Sequence, residues 1–166
     1  MSAKYKFILC LYSGFWIAAI PLYSQTRFEI GLGLGFPEMV NISAMYGKNV
    51  QVGLSQSVWP RYKTGEIVPM GPTSLKICYH FGGEPKYSEQ KVWYLLGGLG
   101  CFWNSPGGFS GEEGIHYCFY PRVGRTFNLS DKLGFCIDVG TYFPLNFPSG
   151  ESDIWPSINA NLFIRL

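Results

Sequence analysis

The chain is poor in charged residues. Asp, Glu, Lys and Arg make up 14% of its 166 residues, against roughly 25% in a typical soluble domain. The formal net charge is only +2, and no run of Lys or Arg is present. Because nucleic-acid binding depends on a basic patch, we expect no nucleic-acid partner.

Closely spaced cysteines are also lacking. Five cysteines are present, but none forms the C-x-x-C pair that is typical of structural zinc sites. Four of them lie in predicted strands, and by alternation only Cys101 faces outward. We interpret these four as apolar fillers without an evident disulfide partner, and we expect neither a metal nor another cofactor. They are Cys78, Cys101, Cys118 and Cys136.

The order of apolar and polar residues does not predict any long amphipathic helix. In several segments, apolar residues instead alternate with polar residues or glycine. In the stretch RFEIGLGLGF, Arg27–Phe36, every second residue from Phe28 is apolar, whereas the residues between are charged or glycine. Such alternation predicts a strand with one apolar face. Residues 154–166 alternate in a similar way. We predict that these two strands are neighbours and that their pairing closes a barrel.

Eight such segments follow residue 24, separated by turn signals rich in Gly, Pro, Asn and Ser. They predict an all-β fold, an eight-stranded antiparallel up-and-down barrel over residues 25–166. The longest connections all fall at one end of this barrel, and the shorter turns fall mostly at the other. The predicted strands cover residues 26–36, 39–46, 50–59, 72–82, 90–103, 114–127, 132–144 and 154–166.

Residues 1–24 have the pattern of a secretory signal peptide. Lys4 and Lys6 precede an uncharged apolar run over residues 7–20, which is about as long as the apolar region of a signal peptide and short for a membrane span. We predict that residues 1–24 are a leader cleaved near Ser24, and an uncleaved N-terminal anchor helix stays open as the alternative.

The glycines indicate which face of the barrel lies inside. Eight of them fall on the face opposite the apolar one, where glycine would only weaken a solvent-exposed strand. The lumen of an eight-stranded barrel is narrow, so small residues there relieve crowding. We therefore predict a transmembrane barrel whose apolar face meets lipid. The glycines are Gly31, Gly33, Gly35, Gly53, Gly98, Gly100, Gly124 and Gly140.

Charged residues share this inward face. A hairpin centred near Ser130 places Arg122 opposite Asp138, where the two can form a bidentate ion pair shielded from water. We predict that this pair is the centre of a lumenal charge network that fills the barrel. The other predicted members are Glu29, Lys76 and Arg165.

Aromatic side chains, 17% of the chain, gather near strand ends. Trp93 and Trp103 lie ten residues apart on one face, which matches about the height of the apolar band of a membrane barrel. We predict two belts of interface aromatics of the kind found at membrane surfaces. The residues assigned to the belts are Phe28, Phe36, Trp93, Trp103, Phe127 and Phe143.

Three segments carry a family resemblance. They are IGLGLGFP at residues 30–37, WYLLGGLG at residues 93–100 and VGRTFNLS at residues 123–130. With them, the chain resembles the small outer-membrane β-barrel proteins of Bacteroidetes and, more broadly, the eight-stranded OmpA-transmembrane and OmpX type. The resemblance covers nearly all of the chain after the leader. It implies an outer-membrane barrel, commonly a monomer, with no catalytic site.

Enzymatic chemistry is weakly indicated. His80 and His116 fall near opposite ends of their strands, which argues against a shared site, because a base must lie within about 3 Å of its nucleophile. We therefore assign no catalytic residue. One enzyme alternative stays open, a lipid-modifying site formed by His116 with the loop residues Ser105, Ser110 or Glu112.

The sequence indicates a location more than an activity. We expect a protein of the cell outer membrane, in contact with lipid, whose structural or interaction role is exercised by outer loops. Tyr62, Phe109 and Phe147 are candidate contacts for a surface glycan or protein partner, because loops on a rigid frame commonly bind. A soluble lipocalin-like carrier of an apolar ligand stays open. The outer loops are predicted at residues 60–72, 104–113 and 145–153.

Overall fold

The computed structural model describes residues 27–63, 66–104, 114–145 and 154–166, with side chains for residues 27–58, 71–101, 114–145 and 154–166. The described residues form nine β-strands, and none of them belongs to a helix that is long and apolar enough to cross a membrane. The strands are β1 (Arg27–Phe36), β2 (Met39–Gly47), β3 (Val50–Lys63), β4 (Glu66–Met70), β5 (Thr73–Phe81), β6 (Trp93–Asn104), β7 (Gly114–Asn128), β8 (Leu133–Pro144) and β9 (Trp155–Arg165).

Eight of these strands close into an antiparallel barrel. The order around the wall is β1, β2, β3, β5, β6, β7, β8 and β9, and β9 pairs with β1. Across this seam Glu29 lies opposite Arg165, and Phe36 lies opposite Ile158. The predicted fold class and the predicted pairing of the first and last strands are confirmed.

The barrel has two distinct ends. The β2–β3, β5–β6 and β7–β8 connections lie at one end, which we call the short-turn end. The β1–β2 turn, β4, the end of β6, the start of β7, the end of β8 and the start of β9 lie at the other, which we call the long-loop end.

The prediction of a loop over residues 60–72 is wrong. β3 continues to Lys63, and its last five residues pair with β4, from Trp59 opposite Met70 to Lys63 opposite Glu66. Three prolines in this segment favour the interpretation as a loop, but β4 pairs with β3 alone, and an edge strand tolerates the missing N–H of proline. The other predicted strand ends differ from the observed ones by three residues or fewer.

The two faces of the wall differ as the alternation predicts. In β1, Leu32 and Leu34 are 61% and 65% exposed, whereas Glu29 between two exposed apolar residues is buried. Among the outward strand positions with described side chains, Arg125 is the only charged residue. Apart from Arg125, the described strands thus direct their charged side chains into the barrel and most of their aliphatic side chains away from it.

Inside the barrel, aromatic rings lie against glycines of the neighbouring strand. Gly98 pairs with Tyr120, and Gly124 pairs with Tyr94. A Cβ added at either glycine would overlap atoms of the facing ring. Because a lumen this narrow holds few large side chains, the two glycines make the space that the two buried tyrosines fill.

The close approach at Gly98 leads to a stability prediction. Gly98→Ala is expected to lower the free energy of unfolding by about 1–3 kcal/mol, because the added methyl group forces Tyr120 out of its position. Gly97 is the matched control, since it faces outward and a Cβ there meets a ring atom of Phe119 at 4.0 Å. Urea titration in detergent micelles measures both variants. Equal losses at Gly97 and Gly98 would contradict the interior packing.

Candidate functional site

The interior polar side chains are organised around Arg122, near the middle of β7. Its Nη1 lies 2.9 Å from Oε2 of Glu38 and 3.3 Å from Oδ1 of Asp138, and all three side chains are buried. The ring of Tyr120 lies 4.5 Å from the guanidinium carbon. One guanidinium thus faces two carboxylates in a site shielded from water, where charge-assisted hydrogen bonds are strong.

The predicted strand register around this pair is wrong by two residues. Arg122 lies opposite Gly140, and Asp138 lies opposite Gly124. The two side chains still meet, because diagonal neighbours on one face of adjacent strands are within reach of a long side chain such as arginine.

Glu38 is a member of this cluster that the sequence interpretation missed. Pro37-Glu38 is the predicted outer turn, yet Glu38 is 0% exposed. The next residue, Met39, has φ of 49°, in the left-handed region, and the Glu38 carboxylate lies inside the barrel. Its Oε1 is 4.0 Å from Nζ of Lys76. The predicted lumenal network contains more cations than carboxylates. This imbalance indicates that a further carboxylate lies inside the barrel, and it could have identified Glu38.

Asp138 extends the cluster to other strands of the barrel. The hydroxyl of Tyr94 donates to its Oδ2 at 2.8 Å, and Nδ2 of Asn159 donates to the same oxygen at 3.4 Å. Oδ1 of Asn159 in turn accepts from Nδ2 of Asn41 at 2.8 Å. We call this set the central network. Its members are Glu38, Asn41, Lys76, Tyr94, Arg122, Asp138 and Asn159.

A second set of polar side chains lies at the short-turn end. Nε of Arg165 donates to Oε1 of Glu29 at 2.8 Å, and its Nη2 donates to Asn128 and to Gln90 at 2.7 and 3.1 Å. Gln90 is buried and precedes β6, so the prediction of a strand beginning at residue 90 is wrong. The β5–β6 connection over residues 82–92 therefore places a side chain in the mouth of the barrel.

His80 completes this end network, which consists of Glu29, Gln51, His80, Gln90, Asn128 and Arg165. Its Nδ1 lies 2.9 Å from the carbonyl oxygen of Lys91, and its Nε2 lies 3.0 Å from both Nε2 of Gln90 and Oε1 of Gln51. A neutral ring that donates from Nδ1 to Lys91 leaves Nε2 to accept from Gln90, and Gln51 bonds to the same nitrogen when its amide oxygen and its unpartnered amide nitrogen are exchanged. Both ring nitrogens are thereby used in closing the mouth.

The β5–β6 connection is tied to the neighbouring β2–β3 turn. Nε2 of Gln90 donates to the carbonyl oxygen of Lys48 at 3.1 Å, and the ammonium of Lys48 pairs with the carboxylate of Glu89. The hydrogen bond and the charge of Lys48 hold the pKa of Glu89 below its ordinary value. Because exposed ion pairs contribute little to stability, the hydrogen bond from Gln90 to the backbone of Lys48 is expected to stabilise this connection more than the ion pair does.

A cavity of about 50 Å³ is lined by members of both networks, among them Glu29, Lys76, His80 and Asp138. It has room for a few water molecules, each of which needs about 10–15 Å³ by this measure. Pockets for small organic ligands are several times larger. Within the described part of the barrel, this space suits water that hydrates the interior charges.

The predicted belt residues take different positions. Phe28, Phe36, Trp93 and Phe127 are exposed on the outward face, near the ends of their strands. Phe143 is half-buried, with its ring centroid 6.3 Å from that of Phe119. The side chain of Trp103 lies outside the described residues.

Among the described cysteines, Cys78 and Cys118 are buried free thiols, and Cys101 is exposed. His116 is buried near the long-loop end of β7. The prospective partners of His116 and the proposed loop contacts lie outside the described side chains. These residues are Ser105, Ser110, Glu112, Tyr62, Phe109 and Phe147.

No group of three or more His, Cys, Asp or Glu side chains in the described ranges is arranged to hold a metal ion.

In comparisons with known proteins, no family model, no curated protein and no solved structure matches the chain. The fold and its interior define the class, which is a closed eight-stranded antiparallel β-barrel with a charge-paired polar lumen.

Proposed function

We propose that the chain is an integral outer-membrane β-barrel whose outward face contacts lipid. The observation that carries this proposal is the distribution of polarity across the wall. The described outward strand positions hold one charged side chain, whereas ion pairs occupy the lumen. A soluble carrier of an apolar ligand requires the opposite arrangement, because exposed apolar patches of this extent are rare on soluble proteins.

The dimensions of the apolar band support the same proposal. Phe28 and Phe36 lie eight residues apart in β1, with Ile30, Leu32 and Leu34 between them on the same face. At about 3.3 Å per residue and a tilt of about 40°, these eight steps span roughly 20 Å, close to the ~25 Å apolar band of outer-membrane barrels. Aromatic residues thus border an aliphatic band.

The proposed role is structural or interactive. The central and end networks pair interior charges with one another, which suits a filled barrel more than a pore. In the proposed orientation the short-turn end faces the periplasm and the long-loop end faces outward. The β3–β4 hairpin lies at the long-loop end, where it can contact a surface glycan or a protein partner.

The remaining parts of the proposal follow from the membrane assignment. We propose export by a signal peptide over residues 1–24, insertion as a monomer, and kinship with the OmpA-transmembrane and OmpX type of barrel in Bacteroidetes. The eight-stranded closed fold supports the last of these.

Membrane extraction tests the proposal. The protein is expected to sediment with outer membranes, to stay there in high salt, and to be released by detergent. An unboiled sample should migrate differently from a boiled one on a denaturing gel, because a closed barrel resists detergent until it is heated. Release by high salt without detergent would favour the soluble ligand carrier and reject the membrane assignment.

A further inference from the structure

Among the strand positions with described side chains, one cation interrupts the otherwise uncharged outward face. Arg125 lies in β7, and on this face its cross-strand neighbours are Trp93 in β6 and Ile137 in β8. The Arg125 side chain is exposed. A charge facing lipid at mid-height of a barrel is costly, whereas one near the interface is tolerated. The energetic cost of an outward Arg125 therefore depends on its position along the barrel axis.

The pairing of Arg125 places it at the interface. Trp93 is the first residue of β6 at the short-turn end, and it also lies opposite Phe81, the last residue of β5. Phe127, two residues further along β7, lies opposite Phe135. Arg125 is thus level with a group of aromatic side chains at the strand ends, where a membrane barrel has its aromatic girdle.

Two of these aromatic rings flank the guanidinium group. The Arg125 guanidinium carbon is 5.4 Å from the ring centroid of Trp93 and 5.1 Å from that of Phe127, within the range of cation–π attraction. In the described part of the chain, Arg125 forms no ion pair. The rings restrain the group and leave its N–H edge to an outside partner. A guanidinium edge matches the oxygens of a phosphate in a bidentate arrangement.

We infer that Arg125, Trp93 and Phe127 form a binding site for the phosphate of a glycerophospholipid headgroup. The inference rests on the proposed membrane function. It adds a specific lipid contact in the leaflet at the short-turn end, with the phosphate at the Arg125 edge and the acyl chains along the aliphatic residues of the wall. Charge complementarity selects a phosphate-bearing lipid over an uncharged one.

Native mass spectrometry of the detergent-purified barrel, titrated with phosphatidylglycerol, tests this site. Arg125→Gln is expected to lower the affinity about fivefold, the effect of one interfacial basic residue. Arg125→Lys keeps the charge but loses the planar fork, so an intermediate affinity is expected. Lys132→Gln is the control, because it removes an exposed cation from the β7–β8 turn at the same end. A diacylglycerol with the same acyl chains should bind the wild type and Arg125→Gln equally.

The possible results separate the two proposals. The gel shift on heating is recorded for every variant, and a wild type that lacks it and leaves membranes in high salt would reject both. A normal shift with equal phosphatidylglycerol affinities for the wild type and Arg125→Gln would overturn only the lipid site. Tighter binding of lipid A than of phosphatidylglycerol, dependent on Arg125, would overturn the assignment to a glycerophospholipid.

Discussion

Replacing Arg122 with methionine is expected to lower the free energy of unfolding by about 3–5 kcal/mol, the usual cost of leaving a buried charge without its partner. The variant leaves Glu38 and Asp138, which Arg122 contacts at 2.9 and 3.3 Å, with Lys76 as the nearest remaining cation to Glu38. Urea titration followed by tryptophan fluorescence, in detergent micelles of one fixed composition, measures the loss.

Two further variants make this result specific. Lys132→Met removes an exposed cation and is expected to change the unfolding free energy by less than about 0.5 kcal/mol. Adding Asp138→Asn to Arg122→Met is expected to recover part of the loss, since Asp138 is the carboxylate left without a cation, whereas Glu38 keeps Lys76 at 4.0 Å. An Arg122→Met barrel as stable as the Lys132→Met barrel would show that the central network does not stabilise the fold.

Leu32→Arg is expected to lower the free energy of unfolding by about 2–4 kcal/mol in lipid bilayers, the cost measured for arginine at the midplane of a membrane barrel. Leu32 lies near the middle of β1 on the outward face and is 61% exposed. In a soluble protein, an exposed leucine replaced by arginine changes stability by about 0.5 kcal/mol or less. The measurement is an unfolding titration in phospholipid vesicles.

Leu129 provides the matched control for this substitution. It is 57% exposed, like Leu32, but it lies in the β7–β8 turn beyond the apolar band. Leu129→Arg is therefore expected to cost about 0–1 kcal/mol, as near the membrane interface. Small and equal effects at Leu32 and Leu129 would indicate that the outward face meets water, and the proposed membrane location would fail.

The strands and their faces could be predicted from the sequence because alternation is a local property. Each apolar residue of β1 is preceded by a charged residue or glycine, and the direction of a side chain depends only on its parity in the strand. The inward positions of Glu29 and Arg165 follow directly from this parity. The pairing of β1 with β9 follows from the need of a barrel to leave no free edge.

The pair of Arg122 and Asp138 could be predicted, but its register and the contacts of Glu38 and Gln90 could not, because they depend on turn geometry. Parity does not apply to Glu38 or Gln90, since both lie outside the strands, and each enters the lumen through the conformation of its connection. A turn carboxylate is ordinarily interpreted as solvated. The diagonal contact of Arg122 with Asp138 depends on the register of β7 and β8, which the turn between them sets. The predicted centre of this turn, near Ser130, gives a register two residues away from the observed one.

The seam between β1 and β9 has a consequence for how the chain reaches its folded state. Arg165 meets Glu29 across 136 positions of the sequence, so this pairing carries a large closure entropy and forms slowly. Until β9 arrives, β1 and β8 each expose an edge able to recruit strands from other molecules. A chain truncated before β9 is therefore expected to form an aggregating open sheet and not a smaller barrel.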